Sequence, residues 1–311
     1  MDRGRKRAGL LGLALLLPFA AGGSDAGDLT IRAAGWLAPG ADRIAALTTE
    51  PAECLALPAD PARRRSVEIG RAAFRTPVLL GGQAARAGLS CESCHRAGRD
   101  NPEFRFPGVS GAPGAADVTH SLFSARRGDG RDNPVPIPDL STGEAARKVS
   151  PEALPGFVHG LIVEEFDGPE PPPAVLAGVV DYLKALTPAA CPAEPAVPIT
   201  AAALMSDVRR AIAAAQAAPD SATSALMVAA ARARLGLIDE RFAGPGLAAE
   251  RQALRQADRR LAQAAAQARA GDPRLAETLR RWLAAAPALE ARLQRRKGLS
   301  LFVPDRISPA T

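Results

Sequence analysis

The segment Cys91-Glu92-Ser93-Cys94-His95 constrains this chain more than any other stretch of it. Two thiols lie three positions apart and a histidine follows directly, so all three side chains can fall on one side of a single helical turn. Side chains of these types at this spacing can bind a metal ion, cycle as a redox pair or hold a haem group. The compartment of the protein and the supply of other ligands decide among these three possibilities.

The N-terminal residues predict the compartment. Four basic side chains lie among residues 1–7, an apolar run of about a dozen residues follows at 10–21, and small residues lead to Ser24-Asp25-Ala26. This order is typical of a secretory signal peptide, here residues 1–26. The alternative is an uncleaved membrane anchor, but the apolar run is shorter than the ~20 residues that span a bilayer. We expect export to a bacterial periplasm, with no integral membrane segment after signal removal.

In an exported bacterial protein, the pattern C-x-x-C-H is typical of covalent c-type haem attachment. Cys91 and Cys94 would each form a thioether with a haem vinyl group, and His95 would be the proximal iron ligand. A zinc site would need further ligands at suitable spacing, and a thioredoxin-like redox pair would need a βαβ context. The remaining histidines and cysteines stand alone in the sequence: Cys54, His120, His159 and Cys191. We therefore predict one covalently bound haem c, with zinc or a redox pair as alternatives.

Two flanking segments carry apolar residues at helical spacing. RSVEIGRAAF (65–74) contains Gly70 and Phe74, whereas PPAVLAGVVDYLKAL (172–186) begins with prolines suited to a first helical turn and contains Tyr182. This arrangement resembles the cytochrome c fold, in which a first helix with a glycine and an aromatic residue crosses a last helix with an aromatic residue. The alternative, two ordinary amphipathic helices, does not account for the haem motif between them.

A closer resemblance, over about residues 65–190, lies in three segments: IGRAAFRTPVLLGGQAARAGLSCESCH, THSLFSARRGDGRDN and FVHGLIVEEFDGPEPPPAVLAGVVDYLKAL. They are similar to elements of the bacterial di-haem cytochrome c peroxidase family: G-[RK]-x-L-F before the haem motif, a D-G-R element and a closing Y-L-x-x-L helix. That family has two C-x-x-C-H motifs, so that one haem feeds electrons to another that meets peroxide. This chain has one motif, so the resemblance implies the fold and does not carry over the activity.

The sequence leaves the sixth iron ligand open. Methionine or histidine is common there, but the methionines of the mature chain, Met205 and Met227, lie beyond the haem motif and its flanking helices. His159 lies near the place where cytochromes c have their distal ligand, and we expect it to bind the iron, with His120 as the alternative. A third possibility is an open or weakly occupied site that holds water, Lys148 or a methionine from the second domain.

Cys54 and Cys191 lie on either side of the haem motif and its flanking helices. Two remaining cysteines in an oxidising compartment predict a disulfide, and two free buried thiols are the alternative. Between the motif and the last helix, residues 96–172 are rich in Gly and Pro, which favours turns and extended loops. We expect this insert to cover one edge of the haem through five apolar anchors: Phe104, Phe106, Phe123, Phe157 and Phe166.

The fold class predicted from these patterns is all-α, with a cytochrome c-like haem domain followed by a second helical domain. Four runs of helical periodicity with caps and breaks between them predict an antiparallel four-helix bundle. The predicted divisions are a signal peptide (1–26), an N-terminal extension (27–64), a haem domain (65–192), a linker (193–200), a helical bundle (201–298) and a tail (299–311).

Charge differs between the two halves. Residues 201–311 contain 18 Lys+Arg and 10 Asp+Glu, whereas residues 27–200 contain 17 and 21. A basic helical face can meet nucleic acid, anionic lipid or an acidic protein, and export argues against nucleic acid. One possibility is that this face is simply solvated. The other is that it docks a partner or the acidic half of its own chain, because charge complementarity orients such encounters.

Two functional classes follow from this sequence. The first is a periplasmic mono-haem cytochrome that exchanges electrons with a redox partner protein. The second is a peroxidase-like enzyme component with an open or shared haem site, and a related possibility is a haem-based sensor that relays ligand binding to the helical bundle. The single haem motif favours the electron carrier.

Overall fold

The computed structural model describes residues 30–120, 122–126, 130–143 and 149–307. The predicted signal peptide, Lys148 and the end of the predicted tail lie outside these residues. The described part is mostly helical, in agreement with the all-α prediction. Its α-helices, in chain order, are α1 (Arg43–Thr48), α2 (Pro61–Phe74), α3 (Pro77–Leu80), α4 (Gly82–Ala87), α5 (Cys91–Cys94), α6 (Leu154–Gly160), α7 (Pro173–Ala185), α8 (Ala201–Gln216), α9 (Ser221–Arg241), α10 (Ala248–Arg269) and α11 (Leu275–Arg296).

Two short antiparallel strand pairs join parts of the chain that are distant in sequence. They are β1 (Thr49–Pro51) with β4 (Ala196–Pro198), and β2 (Ala115–Ala116) with β3 (Val135–Pro136). Next to the β1–β4 pair, the structure contains the Cys54–Cys191 disulfide that the sequence predicts, with the two Cα atoms 4.0 Å apart. The strand pair and the disulfide together hold the two ends of the predicted haem domain (residues 65–192) close to each other.

Helix α2 begins where its sequence provides an N-terminal cap. The side chain of Asp60 accepts a hydrogen bond from the backbone N–H of Arg63, and Pro61 occupies the first turn. Both features satisfy or remove N–H groups that have no partner within the helix. The helix then places one apolar face in the core: Val67, Ile69, Gly70, Ala73 and Phe74.

Helices α2 and α7 cross with their backbones in direct contact. A Cβ atom built at Gly70 would lie 1.8 Å from the carbonyl oxygen of Gly178, so neither position can carry a side chain without separating the helices. One turn further along, the rings of Phe74 and Tyr182 pack with centroids 5.2 Å apart. The absence of a side chain at Gly70 and Gly178 is therefore what allows the two backbones to approach this closely.

The four long helices α8–α11 are named here the C-terminal helices, and the first two of them begin at side-chain caps. The side chain of Thr200 accepts from the N–H of Ala203, and that of Asp220 accepts from the N–H of Thr223, which sets the starts of α8 and α9. Helix α8 packs on α9, α9 on α10, α10 on α11, and α11 returns to α8. Within the described residues, no helix combines the length and the apolar character needed to cross a membrane.

The main hydrophobic core continues across the linker predicted at 193–200. Side chains from α2, α6 and α7 form one buried cluster with side chains from all of the C-terminal helices. Helix α2 contacts both α8 and α9, and part of the predicted linker forms β4. The two predicted domains are therefore in close contact, and their apolar interiors merge.

A second hydrophobic cluster, named here the insert cluster, surrounds the Cys91–Cys94 turn. Its buried members are Leu80, Ala84, Leu89, Phe104, Val109, Ala116 and Phe123, and the partly buried side chains against it include Trp36, Phe106, Ile137, Phe166, Cys91 and Cys94. Phe123 lies at its centre, with ring centroids 5.6 Å from Phe106 and 5.3 Å from Phe166.

Phe157 is a correction to the predicted anchors of the insert. Its side chain is 44% exposed, whereas the other four phenylalanines belong to the insert cluster. Helix α6 buries Leu154 and Val158, whereas the side chain of Phe157 faces solvent. The prediction was wrong for Phe157 because it rested on residue type alone.

Candidate haem-attachment site

The Cys91–Cys94 turn is fixed by polar contacts on both sides. The N–H of Ser90 donates to Oγ of Ser93 at 3.0 Å, and the Asn101 amide donates to the carbonyl oxygen of Ser93 at 2.8 Å. The N–H of His95 donates to the carbonyl oxygen of Cys91 at 2.9 Å, which closes the helical turn. Two thiols and one imidazole are thus presented by five consecutive residues with a defined backbone.

Both thiols of the turn are free, in contrast to the disulfide-bonded pair elsewhere in the chain. Burial raises the pKa of Cys91 to about 12, with a further contribution from the Glu92 carboxylate, and burial and the neighbouring Cys91 raise the pKa of Cys94 to about 12. The two sulfurs are therefore protonated and uncharged at neutral pH. A redox-active cysteine pair shows the opposite behaviour, since its nucleophile is a thiolate of lowered pKa.

The ring of His95 is held through one of its two nitrogens. Nδ1 lies 3.0 Å from the carbonyl oxygen of Pro138, which can only accept a hydrogen bond, so Nδ1 carries the proton. Burial lowers the pKa of His95 to about 4, against smaller opposing effects of the Pro138 carbonyl and of Asp139. The imidazole is therefore neutral at pH 7, and with the proton on Nδ1 the lone pair that can bind a metal is on Nε2.

Apolar and aromatic groups border the turn on two sides. Phe74, in the α2–α7 crossing, lies with its ring centroid 6.4 Å from that of His95. The insert cluster contacts Cys91 and Cys94. The turn therefore lies among apolar and aromatic side chains, with the imidazole of His95 beside them.

The structure gives the two candidate distal ligands other partners. Nε2 of His159, at the end of α6, lies 2.9 Å from the carboxylate of Glu170. Nδ1 of His120 accepts a hydrogen bond from the N–H of Leu122 at 3.0 Å. Met205 and Met227 are both completely buried within the main core. Among the described residues, no cluster of three or more His, Cys, Asp and Glu side chains could hold a metal ion.

Sequence reasoning missed the ionic contacts of the turn. The Glu92 carboxylate, between the two cysteines, pairs with the guanidinium groups of Arg75 and Arg234, and Arg99 pairs with Asp139, next to the Pro138 carbonyl, at 2.7 Å. Glu92 and Arg234 are 142 positions apart, so no local pattern could have paired them.

Comparison with protein-family models, curated proteins and solved structures found no match to this chain. The resemblance to the di-haem cytochrome c peroxidase family therefore stays a prediction.

Proposed function

We propose that this protein is a periplasmic mono-haem c-type cytochrome that exchanges electrons with a redox partner protein. One observation carries the proposal. Two free, protonated thiols lie on one helical turn beside an imidazole whose Nδ1 is hydrogen-bonded to Pro138, so that Nε2 is available as an axial ligand. Elsewhere in the same chain, Cys54 and Cys191 are joined. Free thiols at 91 and 94 in an oxidising compartment are consistent with thiols that react with haem.

Cys91 and Cys94 would hold haem c through two thioether bonds, and His95 would bind its iron. A covalently bound haem supplies a one-electron ferric/ferrous couple. The Pro138 carbonyl orients the imidazole and makes it a better donor, while Phe74 and the insert cluster keep water from the region around the ligand. The α2–α7 crossing supports a cytochrome c-like arrangement of the predicted haem domain, and the C-terminal helices would form the accompanying four-helix bundle.

The other chemistries of a C-x-x-C-H turn are less well supported. A structural zinc site needs four protein ligands, yet the remaining cysteines form a disulfide, His159 pairs with Glu170, and His120 accepts a backbone hydrogen bond. A redox pair would need a thiolate at neutral pH, whereas burial raises the pKa of both thiols to about 12.

A second candidate function is favoured by the contacts of the two histidines. If His159 keeps its contact with Glu170 and His120 keeps its backbone contact, the sixth position of the iron has no histidine ligand. An open position binds small ligands, which would suit a peroxidase-like component or a haem-based sensor. A carbon monoxide titration of the reduced protein separates the two functions, because a filled position leaves the spectrum unchanged.

Covalent attachment is tested directly by haem staining after denaturing electrophoresis and by acid-acetone extraction. The full chain, exported in a bacterium that matures c-type cytochromes, should keep its haem under both conditions. The double variant Cys91→Ser/Cys94→Ser should lose it, whereas Ser93→Ala, a change inside the same turn that spares both thiols, should keep it. Haem released from the wild-type chain by acid-acetone overturns the proposal.

A further inference from the structure

A buried ionic cluster joins the Cys91–Cys94 turn to the C-terminal helices. Nε of Arg75, at the end of α2, lies 2.9 Å from one carboxylate oxygen of Glu92. The guanidinium of Arg234, from α9, donates to the other oxygen of the same carboxylate. The side chains of Arg75 and Arg234 are only 8% and 9% exposed. Glu92, which sits between the two cysteines, is therefore held from two sides by nearly buried cations.

The cluster extends beyond this carboxylate in both directions. Arg75 also pairs with Glu53 at 3.0 Å and with Asp207 of α8 at 3.3 Å, and Arg234 lies 3.7 Å from Asp207. On the other side, the hydroxyl of Tyr182 donates to Glu53 at 2.8 Å. Side chains from the N-terminal extension, from both crossing helices and from two C-terminal helices thus converge on the attachment turn.

A buried cluster of this kind depends on every member. Removing one partner of a buried ion pair leaves the other charge without compensation in a poorly solvated place. If Arg234 were neutral, Glu92 would keep its ion pair with Arg75, which it shares with Glu53 and Asp207, and the weaker attraction of Arg96. Movement of the turn toward water would then lower the free energy of the Glu92 carboxylate. The backbone hydrogen bonds of the turn would not by themselves prevent this movement.

We propose that Arg234 is a positioning residue for the haem-attachment turn, and that through Glu92 it makes the C-terminal helices part of the haem-binding unit. Asp207 assists by orienting both arginines. The inference rests on the proposed function only in assigning a haem to the turn, because the contact between Arg234 and Glu92 is present without it. The charges of Arg234, from the C-terminal helices, and of Glu92 would also act on the electrostatic potential at the iron.

Hydrogen exchange of the full-length protein tests the positioning role whether or not haem is bound. Arg234→Gln should speed amide exchange at residues 91–95 by about tenfold, the factor that corresponds to ~1.4 kcal/mol, with smaller changes in α10 and α11. Arg234→Lys, which keeps the charge, should restore most of the protection. The matched control is Arg232→Gln in the same helix, whose partner is Asp258 at 2.7 Å, and it should leave residues 91–95 unchanged.

The proposal is overturned if Arg234→Gln leaves exchange at 91–95 unchanged, or if exchange rises uniformly along the chain. Should that variant fail to fold, Glu92→Gln removes the same ion pair with almost no change of shape, and it should produce the same local increase. A wild-type chain without covalent haem contradicts the proposed function alone, since the exchange result still decides the role of Arg234.

In the haem-loaded protein, the midpoint potential gives a second, electrostatic readout. Loss of the Arg234 cation favours ferric iron and should lower the potential, while Glu92→Gln removes an anion and should raise it. The double variant should return toward the wild-type value. Shifts of the two single variants in the same direction would show a purely structural effect and would contradict the electrostatic part of the inference.

Discussion

The ionic contacts around the Cys91–Cys94 turn are nearly buried, whereas those along the outer face of α11 are exposed. Arg75 is 8% exposed and meets three carboxylates. Arg280 and Arg281 are 68% and 78% exposed and share the single carboxylate of Glu277, three and four positions earlier in α11. The first arrangement requires distant parts of the chain to be in place, whereas the second forms within one helix.

The same contrast holds for backbone structure. In and around the predicted haem domain (residues 65–192), short helices and turns are joined by a disulfide, two strand pairs and a crossing that depends on glycine. The C-terminal helices are long, and α8 and α9 begin at local caps. One region is specified by contacts across the sequence and the other by neighbours along it, although both contribute to one hydrophobic core.

The disulfide gives the strongest test of this contrast. Cys54 and Cys191 are separated by 137 positions, and the loop-entropy relation gives about 4–5 kcal/mol for a loop of this size. We expect the Cys54→Ser/Cys191→Ser variant to lose about that much free energy of unfolding, measured by urea denaturation. A loss below about 1 kcal/mol would show that the β1–β4 pair already holds the two ends together.

The next largest effect should come from a matched pair of arginine substitutions. Arg75→Gln leaves three nearly buried carboxylates short of their shared cation, and breaking a buried ion pair costs about 3–5 kcal/mol. Arg281→Gln removes an exposed contact within one helix, and it should leave the free energy of unfolding unchanged within experimental error. Similar losses in both variants, measured by urea denaturation, would contradict the difference between the two regions.

The same difference between local and distant contacts explains which parts of the fold and of the site could be predicted from the sequence. The starts of α8 and α9 were predictable from Thr200 and Asp220, because a cap acts on residues three positions away. The Cys91–Cys94 turn stood out as a candidate site because its two thiols and its imidazole lie within five residues. The contact of Pro138 with His95 spans 43 positions of a Gly- and Pro-rich insert, and no periodic pattern indicates which carbonyl faces the ring.

Glycine substitutions compare the two regions by an identical change. A methyl group at Gly70 would collide with the Gly178 carbonyl and force α2 and α7 apart, so Gly70→Ala should destabilise by about 1–3 kcal/mol. Gly236, in the interior of α9, has open space around a built Cβ, and Gly236→Ala should stabilise by about 0.5–1 kcal/mol. Opposite signs in urea denaturation are expected, and a stabilising Gly70→Ala would contradict the close crossing.

The smallest effect concerns lowered carboxyl pKa values, which occur in both regions for different reasons. Burial alone would raise the pKa of Glu53, but Arg75 and Arg71 outweigh it and hold the pKa below its usual value. A hydrogen bond from Arg281 and the charge of Arg280 lower the pKa of Glu277 at the surface. In both cases the charged carboxylate stabilises the folded state. This stabilisation is fully present above the pKa that the group has in the unfolded state, and it is lost as the pH falls through the lower pKa of the folded state.

Salt should separate these two carboxyl groups. At about 1 M salt the screening length is about 3 Å, so the pKa of solvent-exposed Glu277 should return toward its usual value. The pKa of Glu53 should change little, because its partners are nearly buried and ions cannot enter between them. NMR titration of side-chain carboxyl carbons at low and high salt measures both values in one sample. An equal response of the two groups would mean that water and ions reach the cluster around Arg75, and the attachment turn would then be less firmly held than its contacts indicate.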